Sequence, residues 1–214
     1  MARLGRYTVG ARAYDVLSME RPVYRVGRDA AIELLDLQPG DRVLDLGCGT
    51  GLNFPLLDAA IGPTGTIVGV DLSASMLAVA YARVRRRGWR HVCLVQADAA
   101  TAELAGMFRG GGFDAVLATY ALSVIEDGQR AWRGALSAVR PGGRAAVVDL
   151  ALPRGRWRAL APLARLACFT GGVDLHRRPW QWVLRDTVEP EGRVLRAGHV
   201  RVAVGTVPAP GPER

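Results

Sequence analysis

The chain has 214 residues, of which half are hydrophobic and 22% are charged, a balance that argues against long disorder or a fibrous repeat. This length favours one α/β domain, because two separate cores would each be close to the size at which burial becomes marginal. The formal charge of +8 would suit nucleic acid or an anionic membrane. However, the 28 basic residues are all arginine and are scattered along the chain, which favours a compositional bias and predicts no nucleic-acid partner.

The cysteines predict neither a disulfide framework nor a zinc site. Cys48, Cys93 and Cys168 are odd in number and show no paired spacing, which indicates a reducing compartment and no bound metal. The N-terminal residues form no apolar stretch of the signal-peptide type, and no run approaches the roughly 20 apolar residues of a membrane span. We therefore expect a cytoplasmic protein that contacts a membrane surface at most transiently.

The predicted elements begin with a helical cap over residues 1–38, where two helical patterns are separated by Arg21-Pro22. From residue 42, short apolar runs alternate with helical segments. The predicted strands are 42–46, 66–70, 91–96, 113–118 and 144–150, and the predicted helices are 51–61, 74–87, 127–139 and a weaker one at 101–108. Strands that are apolar on consecutive positions and separated by helices predict an α/β fold with a doubly wound, mostly parallel sheet.

After residue 150 the alternation ends. A helix is predicted over 155–169 and a short one over 180–186, followed by strands at 193–197 and 199–206. Because the connection between these strands is short, we expect an antiparallel hairpin at the sheet edge. The chain is thus predicted to be one domain, with a cap (1–38), a core (40–150), further helices and the hairpin (151–207) and a tail (208–214).

A glycine-rich turn follows the first predicted strand and leads into a helix. Gly47, Gly49 and Gly51 would let the backbone approach a ligand closely, and the start of the helix offers free N–H groups. A dinucleotide-binding turn has a third glycine where this chain has Leu52. The acid just before the turn, Asp45, would repel a pyrophosphate but could bind an ammonium group directly or through water. These residues favour a zwitterionic amino-acid ligand.

The segment 43–51 resembles motif I of the class I S-adenosylmethionine-dependent methyltransferases. Segments 69–73, 96–99, 113–120 and 139–144 resemble the family's later motifs in the same order, so the resemblance covers roughly residues 40–150. The alternative is a tight turn without a ligand, with the acids acting as helix N-caps. Acids at three consecutive strand ends are hard to explain by capping alone.

The resemblance implies a Rossmann-like methyltransferase fold and S-adenosylmethionine as the methyl donor. Asp71, about 20 residues after Gly51, would hold both ribose hydroxyls, Asp98 would accept from the adenine amine, and Met76 would pack on the adenine. The expected donor contacts lie in the glycine turn and at the strand ends: Asp45, Gly47, Cys48, Gly49, Gly51, Asn53, Asp71, Leu72, Met76, Asp98, Ala99 and Thr119.

Methyl transfer requires alignment, desolvation and removal of a proton rather than a catalytic triad. Tyr120, Tyr14 and Tyr24 are candidates to stabilise dispersed positive charge through their ring faces, although Tyr14 and Tyr24 could equally pack the helical cap on the sheet. His176 is the candidate base, with an ordinary surface histidine as the alternative. Asp149 could orient an acceptor amine or hydroxyl, or could cap a loop.

The cap and residues 49–55 resemble the branch that contains ubiquinone/menaquinone and bacterial phosphatidylethanolamine N-methyltransferases. This resemblance implies a small or lipid-like acceptor, with the phospholipid head-group amine as first candidate and O- or C-methylation of a quinone or other small molecule as the alternative. The arginines and Trp157 in segment 154–160 could rest on an anionic membrane, or that helix could simply cover the sheet edge.

Three other functions remain open at this stage. An RNA methyltransferase is favoured by charge alone, because the chain has no clustered basic groove with interleaved aromatic residues. A donor-binding subunit without turnover would keep the same motifs. A dinucleotide-dependent dehydrogenase is the third alternative.

Overall fold

The computed structural model describes residues 24–107, 111–153, 155, 157, 162 and 174–209. Its helices are α1 (Arg25–Leu35), α2 (Phe54–Ile61), α3 (Ala74–Arg87), α4 (Gly128–Ser137) and α5 (Trp180–Asp186). Its strands are β1 (Arg42–Leu46), β2 (Thr66–Asp71), β3 (Val92–Gln96), β4 (Phe113–Thr119), β5 (Val139–Leu150), β6 (Val188–Leu195) and β7 (Val200–Thr206).

These strands form one seven-stranded sheet in the order β3-β2-β1-β4-β5-β7-β6. Strands β1 to β5 run parallel to one another, and β7 runs antiparallel to both β5 and β6. The strand order reverses direction between β1 and β4, and ligands of open α/β sheets bind outside the carboxyl ends of the strands at such a switch point. The predicted fold class is confirmed, and the topology places the glycine turn at this switch point.

Both faces of the sheet are covered, which explains the continuous apolar runs of the strands. In β1, Val43 belongs to the hydrophobic cluster that includes residues of α1, α2 and α3, whereas Leu44 belongs to the opposite cluster that includes α4. In β4, Leu117 and Val116 divide between the two clusters in the same way. The alternation holds the sheet rigid between two layers, so its carboxyl edge is a fixed platform.

Several predicted boundaries were wrong, and each error has a local cause. Strand β5 begins at Val139 rather than at residue 144, because Phe113 pairs with Val139 before a register shift brings Ala115 opposite Arg144. Strand β6 begins at Val188 rather than at residue 193, and its exposed polar residues carry no apolar pattern, as an edge strand permits. The weak helix at 101–108 is only a 3-10 turn over Leu104–Met107.

Two predicted segments fall wholly or mostly outside the described residues: the first helical pattern of the cap and the helix at 155–169. Within the described part of the chain, no helix has both the length and the apolar character needed to cross a bilayer.

Candidate functional site

The three glycines of the turn after β1 have different neighbours. Gly47, Gly49 and Gly51 all have positive φ angles, at 68°, 54° and 76°, in a region that residues other than glycine rarely adopt. A β-carbon at Gly47 would overlap the Ala121 side chain and one at Gly51 would overlap the Phe54 ring, but a β-carbon at Gly49 would meet nothing within 4 Å. Two of the glycines therefore serve packing, and Gly49 leaves the backbone open to a ligand.

Asp71, the last residue of β2, fixes this turn. Its carboxylate accepts hydrogen bonds from the backbone N–H of Gly49 and of Ser73, each at 2.8 Å. Burial raises the pKa of Asp71, and the backbone N–H groups of Ser73, Gly49 and Leu72 oppose that shift. Each carboxylate oxygen can accept more than one hydrogen bond, so both are able to bind a ligand hydroxyl as well.

Asp45 lies in β1 with none of its surface exposed. Its Oδ1 accepts a 2.8 Å hydrogen bond from Asn53 Nδ2, whereas Oδ2 is buried without a hydrogen-bond partner among the described residues. Burial raises the pKa of Asp45 to about 7, and the charge of Asp71 adds to this shift, while the Asn53 hydrogen bond and the charge of Arg28 oppose it. A buried polar atom without a partner is costly, so this oxygen indicates a place for a ligand donor.

A cluster of four buried side chains surrounds this position: Arg28, Asp45, Asn53 and Thr119. At the end of β4, Thr119 Oγ1 accepts hydrogen bonds from Asn53 Nδ2 at 3.0 Å and from Arg28 Nη1 at 3.1 Å. The cluster therefore links α1 to the ends of β1 and β4. It places Asn53 and Thr119, two of the predicted donor contacts, beside Asp45.

Sequence reasoning missed Arg28, although a signal was available. Arg28 shares a helical face with Ala31 and Leu35, at spacings of three and seven residues, and both of those residues are fully buried. An arginine on the core face of an amphipathic helix requires a polar partner inside the protein. In this structure that partner is Thr119, at the carboxyl edge of the sheet.

The remaining predicted donor contacts lie along the same edge. Cys48 and Ala99 are buried, as is Met76, whose N–H donates to Ser73 Oγ at 3.4 Å at the start of α3. Leu72 is 47% exposed. Burial raises the pKa of the Cys48 thiol, and the nearby charges of Asp45 and Asp71 raise it further. The cysteine therefore lines the site as an uncharged thiol, which is a poor nucleophile.

Asp98 follows the end of β3. The register of β2 and β3 pairs Asp71 with Gln96, so Asp98 lies two residues beyond that pair at the same sheet edge. Its side chain is exposed and accepts a 2.9 Å hydrogen bond from the N–H of Ala100. Asp45 and Asp71 are close enough for the charge of Asp71 to raise the pKa of Asp45, and Asp98 follows the next strand outward.

Tyr120 follows β4 with a strained backbone, at φ 57°, which is rare for a bulky residue. Its hydroxyl donates to the backbone oxygen of Tyr24 at 2.7 Å, and the two rings meet edge to face at 4.8 Å. The Arg28 guanidinium lies 5.1 Å from the centre of the Tyr120 ring, a cation–π distance. The ring is thus held at the site, and it interacts with a cation of the protein itself.

Of the other catalytic candidates, His176 is described by the structure and has no hydrogen bond to this cluster. His176 is an exposed residue of a turn, and its backbone N–H donates to Asp174 Oδ1 at 3.0 Å. Tyr14 lies outside the described residues.

Asp149, at the end of β5, is fully buried and has a loop-capping arrangement. Its carboxylate accepts from the Ser123 hydroxyl at 2.7 Å and from the backbone N–H groups of Ser123 and Leu150 at 3.1 and 2.8 Å. Burial raises its pKa to about 6, although these hydrogen bonds oppose the shift. Its bonding matches the loop-cap alternative.

Comparison with known proteins finds similarity to methyltransferases over the core of the chain. Residues 43–143 match the family model described as a methyltransferase domain. The ubiquinone/menaquinone biosynthesis C-methyltransferase UbiE of Pseudomonas aeruginosa is 33% identical over 146 residues, which make up 67% of this chain and 56% of that protein. The chain therefore spans about half the length of the curated relatives it matches.

Solved structures share the fold at low sequence identity. One is the phosphoethanolamine N-methyltransferase 2 of Haemonchus contortus, solved with S-adenosylhomocysteine. It matches with a TM-score of 0.72 at 17% identity, and the match covers 94% of this chain and 58% of that protein. The cyclase SpnF matches with a TM-score of 0.63 at 18% identity, and the match covers 85% of this chain and 82% of that protein. The family model thus identifies residues 43–143 as a methyltransferase domain, and the solved structures share its fold.

Proposed function

We propose that the chain binds S-adenosylmethionine at the turn after β1 and catalyses transfer of its methyl group to a small acceptor. The observation that carries the proposal is the buried Oδ2 of Asp45, which has no hydrogen-bond partner in the described part of the chain, beside the open backbone at Gly49. A dinucleotide would place a pyrophosphate next to this carboxylate, and the two would repel. An amino-acid ammonium group would instead give the orphaned oxygen its missing hydrogen-bond donor.

The parts of the donor can be assigned to residues by their chemistry. Asp45 would accept from the ammonium group, and Asp71 would accept from the ribose hydroxyls while it holds Gly49. Asp98 would accept from the adenine amine, with the buried Met76 and the exposed Leu72 as apolar neighbours. These assignments follow the strand ends outward from the switch point.

The bound sulfonium supplies an activated methyl group, so this chain has to align the acceptor, keep water out and receive one proton. The two layers of helices hold the sheet edge rigid, which suits alignment. Tyr120 is held in place by its hydrogen bond to the backbone oxygen of Tyr24 and by the Arg28 guanidinium over its ring. It would contribute to the site through its own ring face and through the arginine that it holds there.

For the acceptor, we propose a ring carbon of an aromatic compound of the quinone-precursor class. The relatives at 33% identity are named C-methyltransferases of ubiquinone and menaquinone biosynthesis, whereas the likeness to the N-methyltransferase, at 17% identity, concerns the fold alone. In this reaction the ring carbon forms a bond to the methyl carbon while the carbon–sulfur bond breaks. Sulfur keeps the electron pair, and the ring loses one proton to a base. The head-group amine thus becomes the second candidate.

Contact with a membrane surface is part of the same proposal, because a quinone precursor with an alkyl tail is held in a bilayer. Trp157 supports it, since 46% of its surface is exposed in a segment that also contains arginines. Transfer to a tailed acceptor should therefore increase when anionic vesicles present it, and no increase over a detergent solution would contradict membrane contact.

The acceptor assay uses a methyl-labelled donor and three acceptors in parallel: a demethylated quinol with a short tail, phosphatidylethanolamine vesicles and a small primary amine. We expect label in the quinol and formation of S-adenosylhomocysteine, and both should be lost in Asp45→Asn. Label in phosphatidylethanolamine would overturn the carbon acceptor but not the methyltransferase. Failure to form S-adenosylhomocysteine with every acceptor would contradict the catalytic function.

A further inference from the structure

The proposed donor site does not provide a group that receives the acceptor's proton. The acids at the ends of β1, β2 and β3 are assigned to the donor, and the Asp149 carboxylate at the end of β5 already accepts three hydrogen bonds from Ser123 and Leu150. A general base needs an atom with a free electron pair within reach of the acceptor. His199 lies at the same edge of the sheet and takes no part in donor binding.

The antiparallel course of β7 brings His199 to this edge. β7 begins where β5 ends, since Leu150 pairs with Val200, and the N–H of Ala151 donates to the backbone oxygen of His199 at 2.8 Å. The proposed donor extends from the switch point toward β3, which leaves the ends of β4, β5 and β7 to the acceptor. His199 is two strands away from the end of β4, about 10 Å at the usual strand spacing, and a substituted aromatic ring can fill that span.

The residue after His199 borders the donor site. A β-carbon at Gly27 would overlap Tyr120 Oη and would lie 2.8 Å from Val200 Cγ1, so the side chains of Tyr120 and Val200 are neighbours beneath α1. Because Tyr120 is held at the donor site, the start of β7 lies beside that site as well.

Three hydrogen bonds hold the backbone and the ring of His199. Its N–H donates to the backbone oxygen of Arg196 at 3.0 Å, its own oxygen accepts from Ala151, and its ring Nδ1 lies 2.6 Å from the backbone oxygen of Ala151. A carbonyl oxygen can only accept, so Nδ1 carries the ring proton and Nε2 of the neutral imidazole keeps a free electron pair. Within the described residues, Nε2 makes no hydrogen bond.

The turn that leads into His199 has a strained backbone. Arg196, Ala197 and Gly198 have φ angles of 48°, 55° and 86°, and the first two carry side chains that disfavour this region. Such strain persists only where the surrounding structure enforces it, and it is concentrated at functional sites. The turn therefore supports a role for His199 beyond closing a hairpin.

We propose that His199 Nε2 is the base that receives the acceptor's proton during methyl transfer. The acceptor carbon bonds to the methyl group, and sulfur keeps the electron pair of the broken carbon–sulfur bond. Nε2 then bonds to the proton, and the electrons of the former carbon–hydrogen bond return to the ring of the acceptor. The imidazolium releases the proton to water, since His199 is only half-buried. This inference rests on the proposed function and deepens it, because it names the residue that completes the reaction.

The test separates the basic nitrogen from the hydrogen bond to Ala151. His199→Asn keeps an N–H donor at the position of Nδ1 and removes Nε2. His176→Asn, in the exposed histidine that the sequence favoured as the base, is measured in parallel. For each protein we measure the single-turnover rate with a methyl-labelled donor and the acceptor, of the three in the assay above, that wild type methylates fastest. Affinity for S-adenosylhomocysteine and the melting temperature are measured as well.

We expect His199→Asn to slow methyl transfer by about a hundredfold to ten-thousandfold, the contribution of a positioned general base. It should bind S-adenosylhomocysteine and melt as wild type does, because the donor site and the hydrogen bond to Ala151 remain. The loss of rate should be confined to the His199 variant.

A wild-type rate in folded His199→Asn would reduce His199 to a structural role and overturn the inference, as would a loss found in His176→Asn instead. A second measurement needs no variant: nitrogen-15 NMR of wild type should show the ring proton of His199 on Nδ1, and a proton on Nε2 would overturn the inference. The proposed function has a separate failure, namely that wild type methylates none of the three acceptors.

Discussion

At the scale of single residues, Asp45 connects donor recognition with stability. Burial raises its pKa to about 7, against an ordinary value of 3.8. The folded protein therefore keeps a proton that the unfolded chain releases, and the contribution of Asp45 to stability decreases as the pH rises from about 4 to about 7. Above that range the free protein holds a buried, partly unsatisfied charge.

We expect Asp45→Asn to melt above wild type at pH 8 in the absence of ligand, and close to wild type at pH 4. A gain of about 1 kcal/mol would raise the melting temperature by about 2–4 °C in a chain of this size. Thermal melts at the two pH values measure the difference, with the exposed Glu103→Gln as control. A difference that is the same at both pH values would contradict the buried, titrating carboxylate.

Asp71 carries the second residue-scale prediction. Its replacement by alanine removes the acceptor for Gly49 N–H and for the proposed ribose hydroxyls. We expect donor binding to weaken by about 1.5–3 kcal/mol, measured by calorimetry with S-adenosylhomocysteine. Unchanged affinity in a folded Asp71→Ala variant would remove this residue from the donor site.

Sequence reasoning located Asp45 and Asp71 because each ends or nearly ends an apolar run before a turn. It could not separate Gly49, which is open, from Gly47 and Gly51, which are packed, because that distinction depends on Ala121 and Phe54. It also missed Arg28, whose partner Thr119 is 91 positions away in the chain. Local pattern identifies the groups that carry charge, and long-range packing decides which of them meet.

At the scale of elements, the position of α1 depends on its small residues. Gly27→Ala would force its β-carbon onto Tyr120 Oη, Val148 and Val200, so we expect a loss of about 1–3 kcal/mol in the free energy of unfolding. The matched control is Gly134→Ala in α4, where the nearest atom would be 3.8 Å away and a gain of about 0.5–1 kcal/mol is expected.

Urea unfolding of both variants checks this prediction. The same urea titration with S-adenosylhomocysteine present should show a further loss in the free energy of unfolding for Gly27→Ala. The reason is that α1 supplies Arg28, which bonds to Thr119 in the buried cluster beside Asp45. A Gly27→Ala variant as stable as Gly134→Ala would mean that α1 does not pack closely on the sheet.

The predicted elements were right where burial imposes a pattern and wrong where it does not. The parallel strands β1 to β4 are apolar on both faces, so their positions could be read within a residue or two. β6 was placed five residues late, because its first half is exposed at the sheet edge. The start of β5 was missed because the Pro141-Gly142-Gly143 segment is typical of a turn, and here it lies within an irregular strand.

At the scale of the whole molecule, Asp114 ties separate parts of the chain at the end of the sheet opposite the site. Its carboxylate accepts from Arg42 Nε at 2.9 Å and from Arg140 Nε at 2.6 Å. Burial raises its pKa, but the hydrogen bonds from Arg42 and Arg140 outweigh burial and hold the pKa at about 2. Its stabilising contribution is fully present above the unfolded value near 3.8 and is lost as the pH falls through about 2.

We expect Asp114→Asn to lower the free energy of unfolding by about 1–3 kcal/mol at pH 7 and by less at pH 3. Urea titrations at the two pH values measure this dependence. Since Asp114 is remote from the glycine turn, donor affinity should not change, which separates this effect from that of Asp45. An equal cost at both pH values would contradict the ion-paired carboxylate.

Every proposed role of the chain requires that the switch-point edge of the sheet binds an adenosyl amino acid through Asp45. The most direct test is calorimetric titration of the wild-type protein at pH 8 with S-adenosylhomocysteine and, separately, with NAD. We predict saturable one-to-one binding of S-adenosylhomocysteine that is weakened in Asp45→Asn, and no binding of NAD. Saturable binding of NAD without binding of S-adenosylhomocysteine would contradict the account.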